Sequence, residues 1–395
     1  MRCSIEMVVI GGPYYVMAKN LRKLNIQDRR SHVAAGHGSP DLLDKTNPSD
    51  DYLALADSMI ENAIGIHAIP LGVATGFVID GHTYSIPMAT EEPSVIAGAS
   101  FAATLVGRHR GFITTATAPV MAFQVFLEGS DTTVLKPLLS DIETLLNRQL
   151  VPLAIRRGGL RDITLGVVPE MSAMKIQVTV DVRDAMGANM LNTCAEQLGA
   201  LVTERLGLKP LMCILTNSAE QRRATATCTL PPTAVATLCQ GRFSPEESVR
   251  RLVLAGELAQ YDRDRAVTHN KGIMNGITAL SLATGNDTRA IEAAAHAWAA
   301  RTGTYRSLSW FEITRAGLTA CLELPLPLAT VGGATQHHPT SRFALDLLGQ
   351  PDSPTLARIA AAVGLAQNLA ALCALISTGI QYGHMPLHAK KQKET

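Results

Sequence analysis

Net charge is almost absent from this sequence: 35 Lys and Arg stand against 34 Asp and Glu along 395 residues. Both signs are spread along the chain, which excludes nucleic acid or an acidic membrane surface as the organising partner. The seven cysteines (Cys3, Cys194, Cys213, Cys228, Cys239, Cys321 and Cys373) include no C-x-x-C pair. Their odd number argues against a disulfide framework, so reduced thiols in a cytoplasm are expected. No G-x-G-x-x-G follows any strand-like stretch, which removes support for a Rossmann fold. No secretory signal is legible, because the apolar run at residues 7–10 is too short and adjoins Glu6. One apolar stretch, residues 359–380, has the length of a membrane span, but Gln367 and Asn368 fall near its midplane and Ala and Gly dominate it. A packed core helix is the expectation there, and no membrane partner.

A hydrophobic content of 47% over this length is enough to bury a large core in two or more domains. Residues 19–30 are basic and residues 36–51 are loop-like. Asp80-Gly81 suits a type I′ turn between two alternating strands. Glu91-Glu92-Pro93-Ser94 follows, with Pro93 placed for the first turn of a helix reaching about Arg108. Acidic residues at a helix start are ordinarily surface groups that complement the dipole, and Glu91 reads that way. Glu92 is followed by small apolar residues, and its use as a proton donor requires burial to lift its pKa. From residue 117 the pattern becomes strand, helix, strand, strand, helix, strand, the β-α-β-β-α-β order of ferredoxin-like domains. Within it, Asp184 is expected to cap a helix whose first turn, with Ala185, Met186, Gly187, Ala188 and Asn189, is open to a phosphate. A capped helix with a packing glycine explains the same residues equally well.

After residue 221 the chain returns to the first domain. Ser244-Pro245-Glu246-Glu247 reads as a capping box. The stretch that the rest serves is Arg265 to Glu292: Thr268-His269-Asn270-Lys271-Gly272, an apolar run, then Gly285-Asn286-Asp287-Thr288. Ile273, Met274, Ile277, Leu280 and Leu282 are spread all round a helix, as in a buried one, with Lys271 and Asp287 at its two ends. The ordinary readings are a snorkelling lysine and an aspartate that caps the next helix. Taken together, the Arg, His, Asn and Lys around an apolar helix start suit an anionic substrate with a developing oxyanion.

Thr-His-Asn-Lys-Gly-Ile-Met-Asn-Gly-Ile followed by Ala-Thr-Gly-Asn-Asp resembles the core of 3-hydroxy-3-methylglutaryl-coenzyme A (HMG-CoA) reductases, specifically the soluble, bacterial class II branch. Glu61-Asn-Ala-Ile-Gly with Ala89-Thr-Glu-Glu-Pro-Ser, Asp184-Ala-Met-Gly-Ala-Asn, Val331-Gly-Gly-Ala-Thr with Gly364-Leu-Ala-Gln-Asn, and Gly383-His-Met-Pro-Leu-His match in the same order. The resemblance covers about residues 52–390.

It implies an α+β fold: a large substrate domain (1–116 and 222–378) around a central helix, an inserted ferredoxin-like NAD(P)-binding domain (117–221), and a shortened C-terminal flap (379–395). It implies a cytoplasmic homodimer, or an assembly of dimers, that interconverts HMG-CoA with mevalonate and CoA by two hydride transfers, without metal. Glu92, Lys271, Asp287 and His384 then match the catalytic positions. Ser94, Asn217, Arg265 and Asn275 match substrate positions, and Asp184 to Asn189 the dinucleotide motif. Lys19, Arg22 and Lys23 are candidates for the CoA phosphates, with none assigned. NADH-preferring members place an Asp a dozen residues before the Arg161-Asp162-Ile163 strand start. Here that position is Leu150, with Arg156 and Arg157 nearby, so NADPH is expected, with NADH the other candidate. Because few residues follow His384, a catalytically impaired CoA-thioester-binding homologue is the alternative. A dehydrogenase of unrelated fold would need the glycine fingerprint that is missing.

Overall fold

The protein is described by a computed structural model covering residues 24–29 and 49–379. The chain divides into two compact units, one ending at Pro70 and one beginning at Leu71. In the first, helix α1 (Asp50–Met59) carries Asp50 and Asp51 in its first turn and buries Leu53. Arg29 pairs with Asp57 and donates to the carbonyl of Ala63 at 3.1 Å.

The second unit opens with the hairpin β1 (Leu71–Ile79) and β2 (His82–Ala89). Asp80 and Gly81 have φ of 50° and 83°, both positive as a type I′ turn requires, so this expectation holds. Helix α2 (Val95–Gly107) packs on the hairpin. Strand β3 (Ile113–Ala116) then joins an antiparallel sheet with three later strands, β8 (Arg223–Leu230), β9 (Ser309–Thr314) and β10 (Gly317–Pro325), in the order β3-β8-β10-β9.

Between β3 and β8 lie β4 (Val120–Glu128), α3 (Leu139–Gln149), β5 (Gly159–Val168), β6 (Ala173–Asp181), α4 (Ala188–Leu206) and β7 (Pro210–Thr216). Their four strands form a second antiparallel sheet, in the order β5-β6-β4-β7. Alternation decides which face is covered. Phe123, Val125, Ile176 and Val178 are buried with α3 and α4, while Gln124, Lys175 and Gln177 line an open groove of about 400 Å³ on the other face. The apolar residues of this segment form their own cluster, separate from the larger one that fills the rest of the unit.

The larger cluster is built on helices: α5 (Pro232–Leu238), α6 (Pro245–Tyr261), α7 (Arg263–Ala283), α8 (Thr288–Ala299), α9 (Pro339–Leu347) and α10 (Ser353–Ile376). Ser244 caps α6 by accepting from the Glu247 amide at 3.3 Å, while Glu247's carboxylate turns to Arg250 and Arg251 instead of back to the cap. Helix α10 is the suspected span. Its apolar window has a mean hydropathy of 2.0 and is 72% buried, because α7, α2 and β8 pack around it. It is a core helix, as its polar midpoint implied.

Helix α7 differs from expectation at its start. Asp262 caps it by accepting from the Arg265 amide at 2.6 Å, so the helix begins at Arg263 and Lys271 sits mid-helix. Ala266, His269, Ile273, Ile277 and Leu280 make the buried face. Asn270, an ordinary helix breaker, is tolerated because its side chain bonds the Arg306 carbonyl and the Leu308 amide outside the helix.

Candidate active site

The turn after β2 carries Glu92. Its amide donates to Thr90 Oγ1 at 3.2 Å, and Ser94 follows in the left-handed region with φ 75°, so α2 begins at Val95 and Pro93 lies in the turn instead of the helix. A non-glycine residue in that region costs about 1–2 kcal/mol, strain that concentrates at functional turns. Across from it, Lys271 Nζ lies 3.2 Å from Glu92 Oε2. The side chains are 61% and 40% exposed, which corrects the expectation that Lys271 and Glu92 are both buried: Lys271, mid-helix on the solvent side of α7, reaches outward to a Glu92 that stands on an open turn.

This pair stands on the wall of a cleft of about 460 Å³. Ser94, Arg265 and Asn275 line the same cleft, and Phe101, Leu372 and Leu375 give it an apolar side. A smaller cavity of about 130 Å³, with Glu91, Thr278 and Glu292, adjoins the pair from another direction. Burial lowers the pKa of Arg265, opposed by Asp262, and no ion pair engages its guanidinium among the described residues. A cation, a carboxylate and an unpaired arginine on one partly apolar wall suit an anionic acyl substrate whose carbonyl oxygen gains charge.

Other expected members are placed elsewhere. Asp287 Oδ1 caps α8, accepting from the Arg289 and Ala290 amides at 3.1 Å, and pairs with Arg289. Among the described residues nothing joins Asp287 to Lys271, so the expected three-member network is here the Glu92–Lys271 pair alone. Asn217 follows β7 and does not line the cleft. His384, Lys19, Arg22 and Lys23 lie outside the described residues.

In the dinucleotide motif, the cap is Gly187 and not Asp184. Gly187 has φ 89°, and a Cβ there would lie 2.7 Å from Val182 Cγ1. Asp184 is held away: its Oδ1 accepts from the Ser353 amide at 3.0 Å, and its carbonyl from the Thr330 amide at 2.9 Å. Helix α4 therefore starts at Ala188 with no side-chain cap, leaving first-turn N–H groups to a phosphate. The residues present fit a dinucleotide there. Arg222, 3% exposed, locks this turn by donating to the Ala185 carbonyl at 3.1 Å, to Ser353 Oγ at 2.6 Å and to the Leu328 carbonyl. Burial lowers its pKa to about 10, against the pull of Asp181 and Asp184, so it stays charged at neutral pH.

A family model described as hydroxymethylglutaryl-coenzyme A reductase matches residues 25–389. The chain belongs to that family. The 3-hydroxy-3-methylglutaryl-coenzyme A reductase of Archaeoglobus fulgidus is 41% identical over 381 residues, covering 93% of this chain and 84% of its own. A probable reductase of Borreliella burgdorferi is 33% identical, covering 95% and 86%. The class II reductase of Streptococcus pneumoniae, solved bound to NADPH in open conformations, superposes with a TM-score of 0.78 at 35% identity, covering 91% of this chain and 99% of that one. The resemblance to the class II branch therefore holds.

Two features of the reductase chain escaped the sequence. Leu150 is 1% exposed in the core of the small sheet unit, so it does not occupy a ribose-reading position. Arg222, in the run Gln221-Arg222-Arg223, looks like surface charge, and nothing local distinguishes it from Arg223, which makes a half-exposed pair with Glu323.

Proposed function

We propose that this chain interconverts HMG-CoA with mevalonate and CoA, working with NADPH, the dinucleotide to which its pneumococcal neighbour is bound. The observation that carries the reading is the Lys271–Glu92 contact of 3.2 Å on the wall of the cleft that Arg265 also lines. A dinucleotide held at the start of α4 would supply hydride to the acyl carbon. Lys271 stabilises the negative charge that gathers on the thioester oxygen. Glu92, 3.2 Å from Lys271, holds the proton that this oxygen takes up. Arg265, Ser94 and Asn275 orient the carboxylate and hydroxyl of the acyl group, and Asp287 acts through the start of α8. His384 protonates the departing thiolate.

The same reading assigns residues 117–221 as an inserted ferredoxin-like, dinucleotide-binding domain. Its strand order and separate apolar cluster support this, as does the uncapped start of α4 with Asp184 to Asn189. A homodimer and a cytoplasmic setting belong to the proposal through the family resemblance. The alternative of an impaired thioester-binding homologue has no support from the relatives, and Glu92 and Lys271 stand together. The test is NADPH oxidation with HMG-CoA, with released CoA titrated as free thiol. Two NADPH consumed per CoA are expected, and oxidation without CoA release contradicts the reading.

A further inference from the structure

In the cleft wall, which His269 and Asn368 both line, runs a chain of three buried polar side chains from three elements. His269 Nε2 on α7 is 2.7 Å from Ser309 Oγ at the start of β9, and Ser309 Oγ is 2.8 Å from Asn368 Oδ1 on α10. All three are at most 1% exposed. Their surroundings are fixed: Asn270 grips the backbone at Arg306 and Leu308, and Gln260 donates to the Ser309 carbonyl at 2.9 Å.

The direction of each bond follows from proton counting. Asn368 Oδ1 only accepts, so the single hydroxyl proton of Ser309 goes to it. Ser309 Oγ must then accept from His269, which places a proton on Nε2. Burial, helped by nearby Arg265, holds the His269 pKa down at about 3, so the ring is neutral and has one N–H. Nδ1 is then a bare acceptor, and it is buried with no partner among the described residues. The opposite arrangement, with the amide turned over, would bury an orphaned Nδ1–H instead, which folded chains avoid more strictly.

With Oδ1 tied to Ser309, the Nδ2 amide group of Asn368 has no protein acceptor among the described residues, and Asn368 lines the cleft of Lys271 and Glu92. We infer that His269 and Ser309 act as positioning residues that hold the Asn368 amide with its N–H groups toward the cleft, where they donate to an oxygen of the bound acyl thioester. The ligand class, a carbonyl or carboxylate oxygen, rests on the reductase reading. The orientation of the amide does not.

Two side chains discriminate this from a merely structural role. Gln at position 269 can present an N–H where Nε2 stands, whereas Asn, being shorter, can only imitate Nδ1. The His269→Gln variant should keep the KM for HMG-CoA within about threefold of wild type. His269→Asn and Asn368→Leu should raise it about tenfold. Dissociation constants for NADPH, measured by its fluorescence on binding, should be unchanged in all three. Equal losses in His269→Gln and His269→Asn would overturn the relay. The orientation is tested without any substrate by 15N NMR of histidine-labelled wild-type protein, which should show His269 protonated at Nε2 and bare at Nδ1. A proton on Nδ1 would overturn the inference even if the variants failed to fold, and even if HMG-CoA proved not to be the substrate.

Discussion

Lys271 Nζ and Glu92 Oε2 meet at 3.2 Å although 179 residues separate them in the chain, one in the middle of α7 and the other in the turn before α2. Both side chains are too exposed for the pair to matter much to stability, where such contacts contribute about 0–1 kcal/mol. What the contact does is place a fixed cation beside a carboxylate on the wall of a cleft that Arg265 and Asn275 share.

If His384 protonates only the departing thiolate, its loss is specific to the thioester. His384→Ala should slow HMG-CoA reduction by about 10²-fold or more while leaving mevaldehyde reduction within about threefold. Parallel steady-state assays on the two substrates decide this. Equal losses would give His384 another role.

Acid should weaken the fold through His269. Its pKa is about 3 in the folded chain, against an ordinary 6.5. Between those values the unfolded chain binds the extra proton, so stability is complete above 6.5 and falls as pH drops toward 3. This single group accounts for a loss on the order of 5 kcal/mol by the acid end. Urea melts at about pH 7 and about pH 4 should show a smaller acid loss in His269→Gln than in wild type.

Arg222 ties the Asp184–Gly187 turn to the start of α10. Arg222→Met strands the Ala185 carbonyl, at a cost of about 1–3 kcal/mol, and leaves the Leu328 carbonyl and the Ser353 hydroxyl only their 2.9 Å bond to each other. A lowered melting temperature is expected. NADPH affinity should fall well beyond HMG-CoA affinity, because the turn that precedes α4 is released. Equal weakening of both ligands would assign Arg222 to the fold alone.

Cofactor choice should answer to arginine charge near the Asp184 turn. Arg156 and Arg157 are exposed, and Arg161 and Arg183 pair with buried Asp181 at the motif's edge. The double variant Arg156→Gln, Arg157→Asn should lower kcat/KM for NADPH about tenfold and leave NADH nearly unchanged. Asn suits position 157, whose φ is 63°. Unchanged discrimination would move the 2′-phosphate contact elsewhere. Leu150→Asp is no probe of this, because it buries a carboxylate in the core.

The strands of the small sheet are legible as short apolar runs separated by helical stretches, and Asp80-Gly81 announces its turn. Glu92, Ser94, Arg265, Lys271 and Asn275 were legible through motif resemblance, and they line one cleft. The start of α7 is hidden in the sequence because Arg263 to Asn270 carries so much polarity that it resembles a loop, whereas His269 turns inward to Ser309 of β9 and Asn270 to the backbone just before it. Asp184 reads as a cap in the sequence because an Asp before a helix normally is one, whereas its partner, the Ser353 amide, is 169 residues away. Such long-range partners leave no local trace, and the same holds for Arg222 and for the His269–Ser309–Asn368 chain.

The most direct test of the whole account is HMG-CoA-dependent NADPH oxidation by Lys271→Met, with the melting temperature measured on the same preparation. Removing a preorganised cation from a developing oxyanion costs about 10²–10³-fold in turnover, while losing an exposed ion pair leaves the melting temperature within about 2 °C. A folded protein with at least that loss is the expected result, and turnover within about fivefold of wild type would contradict Lys271 as the oxyanion partner.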